Sequence, residues 1–293
     1  MAGRHPQPRH PPLLRSLTEQ ALPPDNSESY RGPAARWYDA VYGWRIEDIP
    51  FYQRLAEEWA GPAGAVLELG AGSGRITLPL ARAGFHVTAV DSSPDMVEIL
   101  ERRLAAEPAA ARRLVEPVRQ DIRRLHLDRL YRLVCLPFNT LLMLSQPHDR
   151  QQALDHVREH LAPSGAFAFE VFTPDPERLR RSEGWEVDLD HEIDDPGEGR
   201  LRVRREIERD VDMGRQLLVT RFRCRVARAA DDHELANWQE EMSLAYIFPR
   251  ELDLLLERQG LRVGARYGGP DMRPYEPGPG DVQPQYVVAQ LVP

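Results

Sequence analysis

The chain has 293 residues, a formal net charge of −8, 42% hydrophobic residues and two cysteines. That length suffices for one α/β domain with a substantial insertion, and the acidic balance argues against a general nucleic-acid binder. All 38 basic residues are Arg, which excludes chemistry needing a lysine amine, such as a Schiff base, pyridoxal-phosphate attachment or a P-loop.

Met1 to Pro24 is rich in Pro, Arg and His and lacks the apolar stretch of a signal peptide, so residues 1–29 read as a flexible tail. No run of about 18 apolar residues marks a membrane span, and the expected location is cytoplasmic. Glu47 to Glu58 reads as an amphipathic helix, with Ile49, Phe51, Tyr52, Leu55 and Trp59 at helical spacing and Pro50 in the first turn. Ala65 to Leu69 is a buried strand, Gly70 to Gly74 a glycine loop and Ile76 to Ala83 a helix. His86 to Val90 is the next strand, and Pro94 to Ala105 the next helix. Pro117 to Ile122 and Leu133 to Phe138 are strand candidates, followed by a helix over Arg150 to Leu161 and a strand over Ala166 to Phe172. This alternation predicts a mostly parallel sheet with helices on both faces. The pattern then changes. Trp185 to Ile193, Arg200 to Val211, Gln216 to Ala227 and Ala236 to Phe248 read as consecutive strands of an antiparallel meander. A helix over Pro249 to Gln259 and a strand pair, Leu261 to Tyr267 and Tyr286 to Leu291, complete the core.

The strongest motif is Val66-Leu67-Glu68-Leu69-Gly70-Ala71-Gly72-Ser73-Gly74. A buried strand delivers a loop with room for a ligand, and the free N–H groups of the following helix face it. The next strand ends in Asp91, 21 positions after Gly70, where a carboxylate can take both hydroxyls of a ribose. The dinucleotide fingerprint wants glycine at its sixth position, but Arg75 stands there and the third glycine comes one residue early.

With Glu68 ahead of the loop, this combination resembles motif I of the class I S-adenosylmethionine (SAM)-dependent methyltransferases. Asp91-Ser92-Ser93-Pro94-Asp95-Met96 resembles their second motif, Gln120-Asp121-Ile122 the third, and Val134 to Asn139 the fourth. The resemblance implies a Rossmann-like core whose mostly parallel sheet carries an antiparallel C-terminal strand, interrupted by the inserted meander. It implies SAM as cofactor and S-adenosylhomocysteine (SAH) as product. Glu68, Gly70, Ala71, Gly72, Gly74, Asp91, Ser92, Met96, Gln120, Asp121, Ile122, Leu136 and Asn139 would hold the cofactor, with Met96 against adenine and Asp121 facing its amine. The segment Ser29 to Tyr42 resembles the N-terminal lid of the glycine and sugar N-methyltransferase group, which adds Tyr30 and Tyr38. Ser243 to Pro249 and Tyr267 to Tyr275 resemble that group's C-terminal blocks. Two positions depart from it. Met143 stands where some members carry His, and Phe172 where the glycine enzymes carry an Arg, so a glycine substrate is not expected.

The implied organisation is a tail over 1–29, a SAM-binding core with its lid over 30–175, an inserted β region over 176–248, and core completion over 249–293. Tyr42, Asn139 and Glu240 are the catalytic candidates; Met143, Phe172, Tyr246 and Tyr275 are the substrate candidates. Glu240 shares an apolar face with Trp238, Met242, Leu244, Tyr246 and Phe248, while Arg205 and Arg209 share another with Leu201, Val203, Ile207 and Val211. Charges on apolar faces need partners. Either the Arg and Glu side chains pair within the sheet, or the face roofs a pocket where Glu240 attracts an amine. The acidic run Asp188 to Asp195 reads as a solvated strand and turn, and His156 and His160 as a solvated helix face. No metal site is expected. The expected partner is a small molecule, not nucleic acid or membrane, with a homodimer left open. A nicotinamide-dependent oxidoreductase and a non-catalytic SAM-binding protein are the competing functions.

Overall fold

The computed structural model describes Asn26, Leu179 and residues 29–62, 64–175, 184–276 and 284–292. Residues 1–25 of the expected tail lie outside these, but Asn26 is tied into the fold. Its Nδ2 donates to the carbonyls of Met143 and Ser243 at 2.6 Å each.

The N-terminal segment forms α1 (Pro33–Arg36) and α2 (Tyr38–Tyr42), then α3 (Ile49–Leu55), which passes into a π-helical turn, Ala56–Ala60. The alternating part follows: β1 (Ala65–Leu69), α4 (Thr77–Arg82), β2 (His86–Asp91), α5 (Pro94–Ala105), α6 (Ala109–Arg112), β3 (Val115–Arg119), β4 (Tyr131–Leu136), α7 (Thr140–Met143), α8 (Pro147–His160) and β5 (Leu161–Phe172). The inserted strands are β6 (Glu186–Asp195), β7 (Gly199–Asp212), β8 (Leu217–Arg228) and β9 (Glu234–Ala245). The chain closes with α9 (Pro249–Arg258), β10 (Leu261–Tyr267) and β11 (Pro284–Leu291).

Seven strands form one sheet in the order β10-β11-β5-β4-β1-β2-β3. The β1, β2, β3, β4 and β5 pairings are parallel, while β11 runs antiparallel to both its neighbours. The central strands read as apolar runs because helices cover both faces. Val66, Leu67, Leu133 and Val134 are completely buried. Helix α5 starts where the chain dictates: Ser93 Oγ accepts the Met96 N–H, Pro94 occupies the first turn, and Arg102 and Arg103 close the last turn.

The third strand sits earlier than expected, at Val115–Arg119 rather than 117–122. The Asp121 carboxylate accepts the Arg123 N–H and starts a 3-10 turn over Ile122–Arg124, so the backbone leaves the ladder there.

Strands β6 to β9 make a separate antiparallel sheet in sequence order. Its inner face packs Leu201, Val203 and Val226 against Trp37, Ala40 and Val41 of the N-terminal segment. Leu189 opposite Arg205, His191 opposite Val203 and Ile193 opposite Leu201 set the inner face of β6. Between Val187 and Leu189 the register slips, and Glu186 comes to lie opposite Ile207, which is 1% exposed. The bulge reverses the alternation, so Glu186 turns inward while Asp190 and Glu192 remain outside.

Candidate active site

The carboxyl ends of β1, β2 and β4 meet where an open α/β sheet places its ligands. After β1, the Ala71 N–H donates to the Val90 carbonyl and the Gly74 N–H to the Ala71 carbonyl, at 3.0 Å each. Gly74 has φ +85°, and a Cβ there would come within 2.4 Å of Leu100, so close packing on α5 requires glycine. Gly72, at φ +55°, has no atom within 4 Å of where its Cβ would stand. Its N–H donates to Asp91 Oδ2 at 2.8 Å, and the Ser93 N–H donates to Asp91 Oδ1 at the same distance. Burial pushes the Asp91 carboxyl up, against these backbone bonds. Backbone N–H groups hold both oxygens and still leave lone pairs for a diol.

A groove runs from this point in two directions. One arm is lined by Asp91, Ser92, Asp121, Ile122, Thr140, Met143 and Asp149. Burial alone would raise the Asp121 carboxyl, but bonds and charge from Arg123 hold it below the usual range. The other arm is lined by Tyr30, Tyr38, Glu68, Gly70, Ala71, Gly72, Arg75, Met96 and Phe138. Glu68 is 1% exposed and accepts the Thr77 hydroxyl at 2.5 Å. Burial pushes its carboxyl up to about 8, against the pull of Thr77 and Arg75. An open glycine face beside a partly satisfied carboxylate fits an adenosyl cofactor: Asp91 and Ser92 suit a ribose, and Ile122 and Met96 suit a flat base.

The N-terminal segment covers this groove. Ser93 Oγ donates to the Tyr30 carbonyl at 2.9 Å, the Gly32 N–H to Asp95 at 2.7 Å and Ser73 Oγ to Asp39 at 2.6 Å. Its aromatic rings run in series: Tyr30 on Tyr38 at 5.3 Å, Tyr38 on Tyr42 at 5.0 Å, and Tyr42 on Phe138 at 5.4 Å.

Beyond Phe138 the groove opens into a cavity of about 520 Å³ beneath the second sheet. That volume suits a drug-sized molecule rather than a two-carbon amino acid. One side is apolar, with Met143, Phe172, Leu218, Met242 and Leu244. Another carries two ion pairs between β6 and β7. Asp188 accepts Arg205 Nε and Nη2 at 3.0 and 2.7 Å, and Glu186 pairs with Arg209. The inner pair is the more buried, and the Arg205 guanidinium also lies 4.9 Å over the Tyr42 ring.

Several expected residues take other places. Leu136 packs in the core with Leu67 and Phe167, because strand alternation turns it from the groove; Pro137 and Phe138 line it instead. Both ends of the Gln120 amide bond the backbone of His126 across a short loop. Asn139 borders the cavity, but its Oδ1 accepts the Phe172 N–H at 2.8 Å. Tyr246 lies past the end of β9, packed on Phe248 away from the cavity, since the strand alternation stops at Ala245. Tyr275 reaches the cavity only through Thr173, whose hydroxyl stands 3.1 Å from its own. Glu240 does not line the cavity, and Arg205 and Arg209 find their carboxylates on β6 instead. Burial raises the Glu240 carboxyl, against Trp238 and Arg205. Its charge bears on Tyr30 and Tyr42, so it stands behind the lid tyrosines.

The acid run divides. Asp190 and Glu192 pair with Arg202 and Arg200 on the outer face, whereas Asp188 faces the cavity. His156 pairs with Glu159, and His160 is buried, its Nε2 accepting the Leu127 N–H. Among the described residues no group of three His, Cys, Asp or Glu could hold a metal, and no helix is long and apolar enough to cross a membrane. Glu186, Asp188, Arg75 and Thr140 were missed as site residues. Of these only Arg75 carried a sequence signal, as the residue breaking the dinucleotide spacing.

Sheet order, glycine loop and groove together give the chain a Rossmann-like core with a ligand groove at the carboxyl ends of its central strands. Residues 66–165 match the family model of a methyltransferase domain, and the chain carries that domain. It is 35% identical over 157 residues to a carboxy-S-adenosyl-L-methionine synthase of Cronobacter sakazakii, covering 47% of this chain and 62% of the relative. It is 34% identical over 119 residues to a cypemycin N-terminal methyltransferase of a Streptomyces species, covering 41% and 45%. The chain thus spans less than two thirds of either relative. The methyltransferase CcbJ from Streptomyces caelestis shares the fold, with a TM-score of 0.65 at 24% identity over 92% of this chain and 91% of that one.

Proposed function

We propose that the chain is a SAM-dependent methyltransferase that delivers a methyl group to N or O of a small molecule. The supporting observation is continuity: Tyr30, Phe138 and Met143 line both the groove and the 520 Å³ cavity. A bound SAM would supply an electrophilic methyl group, so the protein's work is alignment and exclusion of water. Asp91 and Ser92 would hold the ribose, Met96, Asp121 and Ile122 the adenine, and Glu68, Gly70, Ala71 and Gly72 the amino-acid end. Tyr30 and Tyr38 would close over it. Tyr42 would border the transfer point. Asn139 would orient the Phe172 edge, with Met143 and Phe172 against the acceptor. Glu240 would act as a positioning residue behind Tyr42. The reading divides the chain into a cofactor half, residues 30–175 and 249–293, and an inserted region over 176–248 that completes the acceptor cavity. A cytoplasmic enzyme acting on a small molecule rather than nucleic acid completes the reading, and light scattering distinguishes monomer from homodimer.

Calorimetric titration with SAM, SAH and NAD tests it. Binding of SAM and SAH, lost in Asp91→Ala, is expected, followed by SAM consumption with a panel of small amines and phenols. Binding of NAD alone would overturn the reading in favour of a dinucleotide enzyme. SAM binding without turnover of any acceptor would favour a non-catalytic SAM-binding protein.

A further inference from the structure

Two buried ion pairs stand behind the junction of groove and cavity. Asp48, at 0% exposure, accepts both Arg75 Nη atoms, with the Nη2 bond at 2.8 Å. Arg75 Nη1 also donates to the Arg45 carbonyl at 2.8 Å. Arg45 in turn pairs with Glu170 on β5, which is 1% exposed. The two pairs bind three parts of the chain that are distant in sequence: the lid segment, the glycine loop and the core sheet.

Both guanidinium groups lie against one ring. Arg45 is 4.7 Å and Arg75 5.7 Å from the centre of Phe138, with Tyr42 packed edge-on against it. Phe138 and the following Asn139 both have φ +59°. Consecutive left-handed non-glycine residues are costly and persist only where the surroundings hold them. Burying four charges is also costly, and hydrophobic residues would support a lid more cheaply. Arginine is suited to the task because its planar fork fixes direction while its face stacks on an aromatic ring.

We propose that Arg75 is a positioning residue: with Asp48 and the Arg45–Glu170 pair it couples closure of the lid over the cofactor to the placement of Phe138 and Tyr42 at the mouth of the acceptor cavity. The inference rests on the methyltransferase reading. Its consequence is an order of binding. The cofactor settles the glycine loop and lid first, and only then does the acceptor meet a formed cavity wall. Arg75 thus serves a purpose unrelated to the glycine whose fingerprint position it occupies.

SAH is the probe, used with the full chain, by calorimetry and by hydrogen exchange over residues 30–48. In the wild type, SAH should slow exchange in that segment. Arg75→Gln and Asp48→Asn should each weaken SAH about tenfold and abolish most of the protection, with Arg75→Lys intermediate because it keeps charge but loses the fork. Arg82→Gln, at the end of the following helix α4 and itself exposed in its pair with Glu107, should match wild type. If Arg75→Gln only lowers the melting temperature, with SAH affinity within about twofold and protection retained, the pairs merely stabilise the fold and the proposal is overturned. Failure of the wild type to bind SAH would instead sink the methyltransferase reading itself.

Discussion

The groove and the cavity adjoin at Phe138 but are built differently. The groove comes largely from one stretch, Glu68 to Met96, and much of its chemistry is backbone: N–H groups aimed at Asp91 and a glycine that leaves open space. The cavity takes side chains from Tyr30 to Leu244, gathered by two sheets, and its polar wall is two cross-strand ion pairs. Backbone sites depend on local spacing; side-chain sites depend on register and packing. Away from the ion pairs behind Phe138, damage should therefore stay on its own side of that ring.

The largest effect should come from Glu68. Its carboxyl titrates near 8 when folded and near 4.5 as the free side chain. Below about 4.5 both states are protonated; as pH rises the unfolded chain ionises first, so stability falls until about pH 8. Glu68→Gln should remove that slope and stabilise the protein at pH 8 by on the order of a few kcal/mol, measured by urea unfolding across pH. Gly74→Ala forces a Cβ against Leu100 at a left-handed residue and should cost about 2–3 kcal/mol by the same assay. Asp91→Ala should leave the fold intact yet weaken SAH about 100-fold by calorimetry. Across the boundary, Asp188→Asn takes the ion-pair partner from Arg205, whose side chain is only 11% exposed. It should cost about 1–2 kcal/mol of stability while SAH affinity stays within about twofold. Glu186→Gln, in a pair exposed by more than 40% on each side, should change stability by under about 0.5 kcal/mol. If Asp188→Asn weakened SAH as much as Asp91→Ala does, the two regions would be one energetic unit and the contrast would fail.

How legible each region was in the sequence follows the same contrast. The glycine loop, Asp91 and the succession of core strands along the chain follow from spacing and apolar periodicity, and Asp121 from the resemblance to the methyltransferase motifs. Those patterns stop working where a side chain's surroundings decide its direction. Leu136 and Gln120 occupy motif positions, yet one packs into the core and the other bonds a loop. Tyr246 follows the alternation of β9 on paper, but the strand has already ended. Asn26, placed in a tail by composition, bridges Met143 and Ser243 through its amide.

The residues alone determined the Rossmann-like core, the glycine-loop site and the inserted meander, because periodicity, turn chemistry and backbone demands are local properties of the chain. Only the tertiary structure decided what faces the cavity. The bulge at Asp188 reverses the alternation of β6, so an acid run that looks uniformly solvated sends Asp188 to the cavity wall and leaves Asp190 and Glu192 paired with Arg202 and Arg200 on the outer face. A one-residue slip in a strand changes every facing side chain beyond it, and that slip is set by pairing with β7 rather than by the sequence of β6.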